Sequence, residues 1–88
     1  MMGYRVYILY SMKYNKTYCG YTNHMDRRLE DHNISSGKGY TIRYRPWVID
    51  YQEHYMQQQE AKQKEQYYKT GVGRELIKRL VAKYKEQN

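Results

Sequence analysis

Tyr7, Tyr18, Arg28 and His32 are the residues of this chain whose types and spacing best suit chemistry. They lie in three short runs: Val6-Tyr7-Ile8-Leu9, Thr17-Tyr18-Cys19-Gly20-Tyr21-Thr22 and Arg27-Arg28-Leu29-Glu30-Asp31-His32. Phosphodiester cleavage is one reaction that calls for such groups. That reaction must deprotonate a water, stabilise a pentacovalent phosphate and neutralise the departing oxygen. A guanidinium fork can hold two non-bridging oxygens. An imidazole can share a proton, orient a water or contact phosphate. A phenol has a pKa near ~10 and needs a nearby cation to act as a base at neutral pH.

The elements that must position these groups are readable from local pattern. Residues 4–10 are rich in aromatic and β-branched types and read as a strand. Residues 11–15 are turn-like, and 16–22 read as a second strand, giving a hairpin. A turn centred near residues 12–13 would set Tyr7 opposite Tyr18 on one face. Such an aromatic pair is also ordinary hairpin packing, and the residues alone leave both readings open. Gly20 leaves room beside the two phenols. Cys19, mid-strand, reads as a small buried filler.

Asn23 is the expected N-cap of a helix running through Met25, Leu29 and His32. Arg28 and His32, four apart, share one face of it. Arg27 points elsewhere, toward solvent or a nucleic-acid backbone. Both arginines also read as solvated helix charges. Arg5 has the strand parity of Tyr7 and shares its face.

Residues 35–39 read as a loop and 40–45 as a basic, aromatic continuation. Lys38, Arg43 and Arg45 alternate there with Tyr40 and Tyr44, a composition that tracks phosphates and stacks on unpaired bases. An ordinary solvated loop has the same composition. Pro46 opens a third strand at 47–51. A polar helix follows at about 56–69, and Gly71 suits its C-cap. A last helix at 74–84 carries Leu76, Ile77, Leu80, Val81 and Tyr84 as its core stripe. The order is β-β-α-β-α-α. It predicts an α+β fold, a three-stranded, mostly antiparallel sheet flanked by helices, as one domain over residues 1–88.

Composition sets the outer limits. A chain of 88 residues has a thin core. It has thirteen tyrosines and no phenylalanine, so phenols must supply much of that core and find hydrogen-bond partners within it. The net charge of +7 favours a polyanionic partner, and is also that of a merely basic soluble protein. One cysteine excludes an internal disulfide and a cysteine-based zinc site. No apolar run reaches membrane-spanning length, and the N-terminal residues lack a signal-peptide layout. The expectation is a cytoplasmic protein with no membrane partner.

The spacing of Tyr7, Tyr18, Gly20, Arg28 and His32 resembles the core motif of the GIY-YIG nuclease family, and is similar to short stand-alone bacterial members of the UPF0213 type. The signatures read Arg5-Val6-Tyr7 and Tyr18-Cys19-Gly20. Arg5 replaces the first glycine, and Val6 and Cys19 replace isoleucines. The resemblance implies that Tyr7, Tyr18, Arg28 and His32 form the catalytic set, with Arg28 eight residues beyond Gly20. It also implies one glutamate on a later helix as ligand to Mg2+ (or Mn2+). Glu65, after the Glu60-Ala61 pair, is the match, with Glu60 as runner-up.

The function so implied is a metal-dependent endonuclease acting on DNA, in repair or recombination. Arg5, Arg27, Lys38, Arg43 and Arg45 would contact nucleic acid. A partner protein could supply target specificity. The rival expectations are a catalytically inactive nucleic-acid-binding module of the same fold, and an interaction protein with exposed tyrosines.

Overall fold

A computed structural model describes residues 3–35 and 39–87, with Ile34 and Ser35 described through their backbone alone. Lys38 lies outside the described residues. The strands are β1 (Tyr4–Ser11), β2 (Lys16–Thr22) and β3 (Val48–Tyr55). They form one antiparallel sheet in the order β2-β1-β3. The helices are α1 (Met25–Glu30), α2 (Gly39–Arg43), α3 (Gln58–Tyr68) and α4 (Gly71–Gln87), and a π-helical turn, Asp31–Ser35, extends α1. The expected α+β order β-β-α-β-α-α is present, with α2 added before β3. No helix among the described residues is long and apolar enough to cross a membrane.

Strand β1 is central, and every residue from Val6 to Ser11 is buried. Alternation sends its side chains into two cores. Val6, Ile8 and Tyr10 meet Ala61 and Tyr68 of α3 and Ile77 and Val81 of α4. Tyr7 and Leu9 face Trp47, with Tyr18, Met25, Leu29, Tyr44 and Ile49 packed around them. Each buried aliphatic side chain here contributes about 1.5–3 kcal/mol. The predicted stripe on the last helix is thus core-facing, with Leu76, Leu80 and Tyr84 at its margin.

The hairpin register differs from the expected one. Tyr7 pairs with Gly20, and Tyr18 with Leu9. The reason is the turn. β1 continues to Ser11, which pairs with Lys16, so residues 12–15 form a turn centred one position later. Asn15 takes the left-handed conformation at φ 54° that asparagine tolerates. Its Oδ1 accepts from the Tyr10 hydroxyl at 2.8 Å. A shift of two residues keeps every side chain on its expected face.

Three boundaries also move. α1 is capped by His24, not Asn23: His24 Nδ1 accepts from the Arg27 backbone N–H at 3.4 Å. Residues 39–43, read as loop, are helical, and Trp47 anchors them by donating its indole N–H to the Thr41 carbonyl at 2.9 Å. Gly71 starts α4 instead of capping α3. Thr70 caps α4, its Oγ1 accepting from Gly73 N–H at 3.2 Å. Gly73 is required by the elbow between α3 and α4: a Cβ there would fall 2.1 Å from the Tyr67 carbonyl oxygen.

A polar cluster ties α3 to β3. The Glu53 carboxylate accepts from Tyr51 at 2.8 Å, Tyr55 at 2.7 Å and Tyr68 at 2.5 Å. Burial alone would raise the Glu53 pKa, but the phenol hydrogen bonds outweigh it and hold the carboxyl below its usual range. A depressed folded-state pKa contributes stability above the unfolded value, near ~4.3, and loses it as pH falls through the folded value. Glu53→Gln should therefore cost about 1–2 kcal/mol at pH 7, the range for charge-assisted bonds partly open to solvent. Urea unfolding at pH 7 and pH 3 checks this. The gap between wild type and variant should narrow at pH 3, and an unchanged gap would contradict the assignment.

Candidate active site

The site lies on the sheet face opposite α3 and α4. Gly20 makes it possible. A Cβ at Gly20 would fall 2.5 Å from the Tyr7 hydroxyl oxygen and 2.8 Å from Cζ. The Tyr7 phenol therefore lies across the glycine, using the space of the missing side chain. The register set by the turn, with Gly20 and not Tyr18 opposite Tyr7, makes that space available.

Tyr7 is 1% exposed and sits between two partners. Arg28 Nε–H donates to its hydroxyl oxygen at 3.4 Å. His32 Nε2 lies 3.0 Å from the same oxygen. Since Arg28 already donates to that oxygen, the arrangement that uses the phenolic proton has Tyr7 donating to His32 Nε2. Tyr18 is half-buried beside them. Its ring centroid is 6.4 Å from that of Tyr7 and 4.8 Å from that of His32.

The π-helical turn delivers His32, which is 5% exposed. Its neighbour Asn33 locks the turn to the base of β3. Asn33 Oδ1 accepts from the Trp47 backbone N–H at 2.6 Å, and its Nδ2 donates to the Trp47 carbonyl at 3.1 Å. Arg45 Nη1 adds a bond to the Asn33 carbonyl at 3.4 Å. His32 Nδ1 is buried and has no hydrogen-bond partner among the described residues.

The electrostatics form one pattern. Burial pushes the Tyr7 phenol up to about 12, against the lowering effect of its Arg28 hydrogen bond. Burial pushes His32 below its usual value, and the positive charge of Arg28 pushes it further, while Asp31 opposes both. The hydrogen bond to Tyr7 raises Arg28 despite partial burial. At neutral pH the trio is thus a neutral phenol, a neutral imidazole and a charged guanidinium.

The structure brings Tyr7, Tyr18, Arg28 and His32 together. Glu65 is on α3, which packs on the other face, and it approaches the edge of β2. Cys19 Sγ lies 4.0 Å from the Glu65 carbonyl oxygen. The Glu65 carboxylate pairs with Lys69 Nζ at 2.7 Å, its side chain 16% exposed and that of Lys69 56%. Tyr18, Cys19 and Lys69 line one groove, so this ion pair borders the site at the β2 edge. Burial, then the Glu65 charge, pushes the Cys19 thiol up to about 12, which leaves it protonated and suits a packing role.

Among the described residues no three His, Cys, Asp or Glu side chains cluster as a metal-binding group. One carboxylate matches a magnesium ion, which keeps most of its waters and leans on substrate phosphates. The Lys69 partner must then yield its place. Glu60, the runner-up, is exposed in the first turn of α3.

The basic residues are more scattered. Arg5 Nη1 donates to Gln52 Oε1 at 3.0 Å. Arg27 is exposed on α1. The Arg43 guanidinium lies 5.4 Å from the Tyr44 ring centroid. Sequence reasoning missed Asn33 as a clamp and Tyr40 as a wall. Tyr40 stacks on Trp47 at 6.0 Å and donates its hydroxyl proton to the Thr17 carbonyl at 2.9 Å. The Lys69 pairing had a local signal, its i,i+4 spacing from Glu65.

Residues 3–80 match the GIY-YIG catalytic domain. A UPF0213 protein of Staphylococcus haemolyticus is 35% identical over 80 residues, spanning 91% of this chain and 96% of that protein. A UPF0213 protein of Bacillus licheniformis is 38% identical over 63 residues, spanning 72% of this chain and 64% of that one. The solution structure of a UPF0213 protein from Bacillus halodurans superposes with a TM-score of 0.53 at 30% identity, covering 90% of this chain and 85% of the other. Sequence match, fold and site geometry agree: the chain belongs to the GIY-YIG family, within its UPF0213 group.

Proposed function

We propose that the protein is a divalent-metal-dependent endonuclease that hydrolyses phosphodiester bonds in DNA. The observation that carries this reading is the buried chain from Arg28 through Tyr7 to His32. A phenol raised to about 12 is a poor base alone. It becomes useful when its own proton can leave at once. His32 Nε2 receives that proton as the Tyr7 oxygen takes one from the attacking water. Tyr18, the less buried phenol, orients the water. Arg28 is the fixed positive charge that meets the non-bridging oxygens as negative charge develops. Glu65 would hold Mg2+ (or Mn2+), which supplies Lewis-acid stabilisation of the phosphate and leaving oxygen. Arg5, Arg27, Arg43 and Arg45, with Lys38, would contact the nucleic acid, and a partner protein would supply target specificity.

A nicking assay on supercoiled plasmid with magnesium tests this. Arg28→Ala should lose about 100- to 1,000-fold in rate, as loss of a transition-state donor does. Tyr7→Phe should lose about 100-fold or more, the range of a lost proton-transfer group. Glu65→Ala should abolish the response to added metal. Equal nicking by wild type and all three variants would sink the assignment.

The pH profile is a second test. A lowered His32 pKa means the neutral imidazole persists below the ordinary value near ~6.5. The rate should therefore hold until the pH drops below ~6.5, then fall as His32 takes up a proton. An acidic limb centred above ~6.5 would contradict the relay.

The second reading is a nucleic-acid-binding module without turnover. The ion pair between Lys69 and Glu65 favours it, because a carboxylate already matched by an ammonium is a weaker seat for metal. Salt-sensitive DNA binding that survives Glu65→Ala, with no nicking by wild type, would identify it.

A further inference from the structure

A second surface lies outside the catalytic set. A groove of about 860 Å3 runs between the open edge of β2 and α4. Its lining includes Lys16, Lys69, Arg74, Lys78 and Lys85 and no carboxylate. Arg74, Lys78 and Lys85 recur along one side of α4, covering about 16 Å of helix at 1.5 Å per residue. Ile77, Val81 and Ala82 line the groove beside them. One end is closed by Lys85 Nζ, which donates to Asn15 Oδ1 at 3.1 Å. Tyr18 and Lys69 also line it, so the groove adjoins the candidate active site through Tyr18.

We infer that this groove holds a single strand of nucleic acid running to or from the active site. Lys69 pairs with Glu65 at 2.7 Å and Lys78 with Glu75 at 3.3 Å, but neither carboxylate lines the groove, and a wall that presents cations alone suits a phosphate backbone. An apolar lining with the Tyr18 and Tyr40 rings at its edge suits unpaired bases, whereas a duplex would present only its backbone there. An acidic peptide added as a fourth strand is the competing occupant. The structure disfavours it, because Tyr40 already donates to the outward-facing Thr17 carbonyl and so occupies part of the β2 edge. Taken with the nuclease reading, on which this extension rests, the substrate class is a DNA whose scissile phosphate adjoins an unpaired tract.

The experiment is fluorescence anisotropy with a labelled oligothymidylate of about twelve nucleotides, a length within the usual site size of such grooves. It is run in EDTA, so its outcome does not depend on cleavage. Arg74→Ala/Lys78→Ala removes two groove charges. Arg79→Ala/Lys83→Ala removes two exposed charges from α4 outside the groove lining, with the same change in net charge. The groove pair should bind about tenfold or more weakly, and its log K against log salt slope should be shallower by about 1.4. The control pair should stay within about twofold of wild type. Equal loss in both pairs, or no loss in the groove pair, overturns the inference. So does displacement of the oligonucleotide by a polyglutamate peptide of equal charge when it is selective for the intact groove. Nicking by wild type with an inert groove would leave the nuclease reading standing. Groove-dependent binding without nicking would do the reverse.

Discussion

Burial of β1 on both faces is the constraint on which the rest of the structure depends. A thin sheet in so short a chain needs helices on both sides to exclude water from its central strand. One face of β1 is ordinary core against α3 and α4. The other places Tyr7 between Leu9 and the start of the strand, where it is as buried as any aliphatic neighbour. The same position is therefore a packing site and a chemical one. Its hydroxyl is withdrawn from bulk solvent, so in the resting site it is satisfied from within, by Arg28 and His32. Gly20 completes the arrangement by yielding the space the ring occupies.

The same burial explains why the perturbations around Tyr7 point in complementary directions. Withdrawing water disfavours every ion in the site, so the phenol rises and the imidazole falls. Arg28 is the exception, since it is less enclosed and its charge is supported by the Tyr7 oxygen. A single cation in a poorly solvated site acts more strongly on an incoming phosphate than it would on the surface. The Glu53 cluster on the opposite face shows the converse. There a carboxylate is the charged group, and three phenols stabilise it. Tyrosine replaces phenylalanine throughout this chain and, at both places, converts core volume into hydrogen-bonding capacity.

The chain disclosed its periodic features and concealed its contacts. Strand alternation fixed the faces of Arg5, Tyr7, Tyr18 and Gly20, and helical spacing brought Arg28, on α1, and His32, on the π-helical turn that extends it, to one side. Register escaped because it depends on where the turn is centred, and Asn15 carries the left-handed residue of that turn without a glycine to advertise it. α2 escaped because five residues contain too little period to display a helix. The His24 cap escaped because imidazole nitrogen is an unusual substitute for the hydroxyls and carboxylates that announce helix starts. Glu53 escaped because the partner that completes its cluster is non-local: Tyr51 and Tyr55 flank it along the strand, but Tyr68 reaches it from α3. Glu65 was singled out only through the family resemblance, since α3 is polar and carries two carboxylates, Glu60 and Glu65.

Strand β2 joins the two faces functionally. As the edge strand, it turns Tyr18 toward Tyr7 and His32 and Cys19 toward α3. A residue on α3 can therefore approach the site only around this edge, which is where Glu65 and Lys69 stand. Their ion pair is more than a surface ornament, because the carboxylate is largely covered while the ammonium is mainly exposed. Removing the ammonium would leave a poorly solvated carboxylate in need of another cation, and a phosphate arriving with a divalent ion offers one. The lysine would then be released toward the groove, whose basic lining it already shares. On the proposed metal reading, the movement that would free the carboxylate would leave the Lys69 charge, already on the groove wall, unpaired there, so a single side chain borders both surfaces.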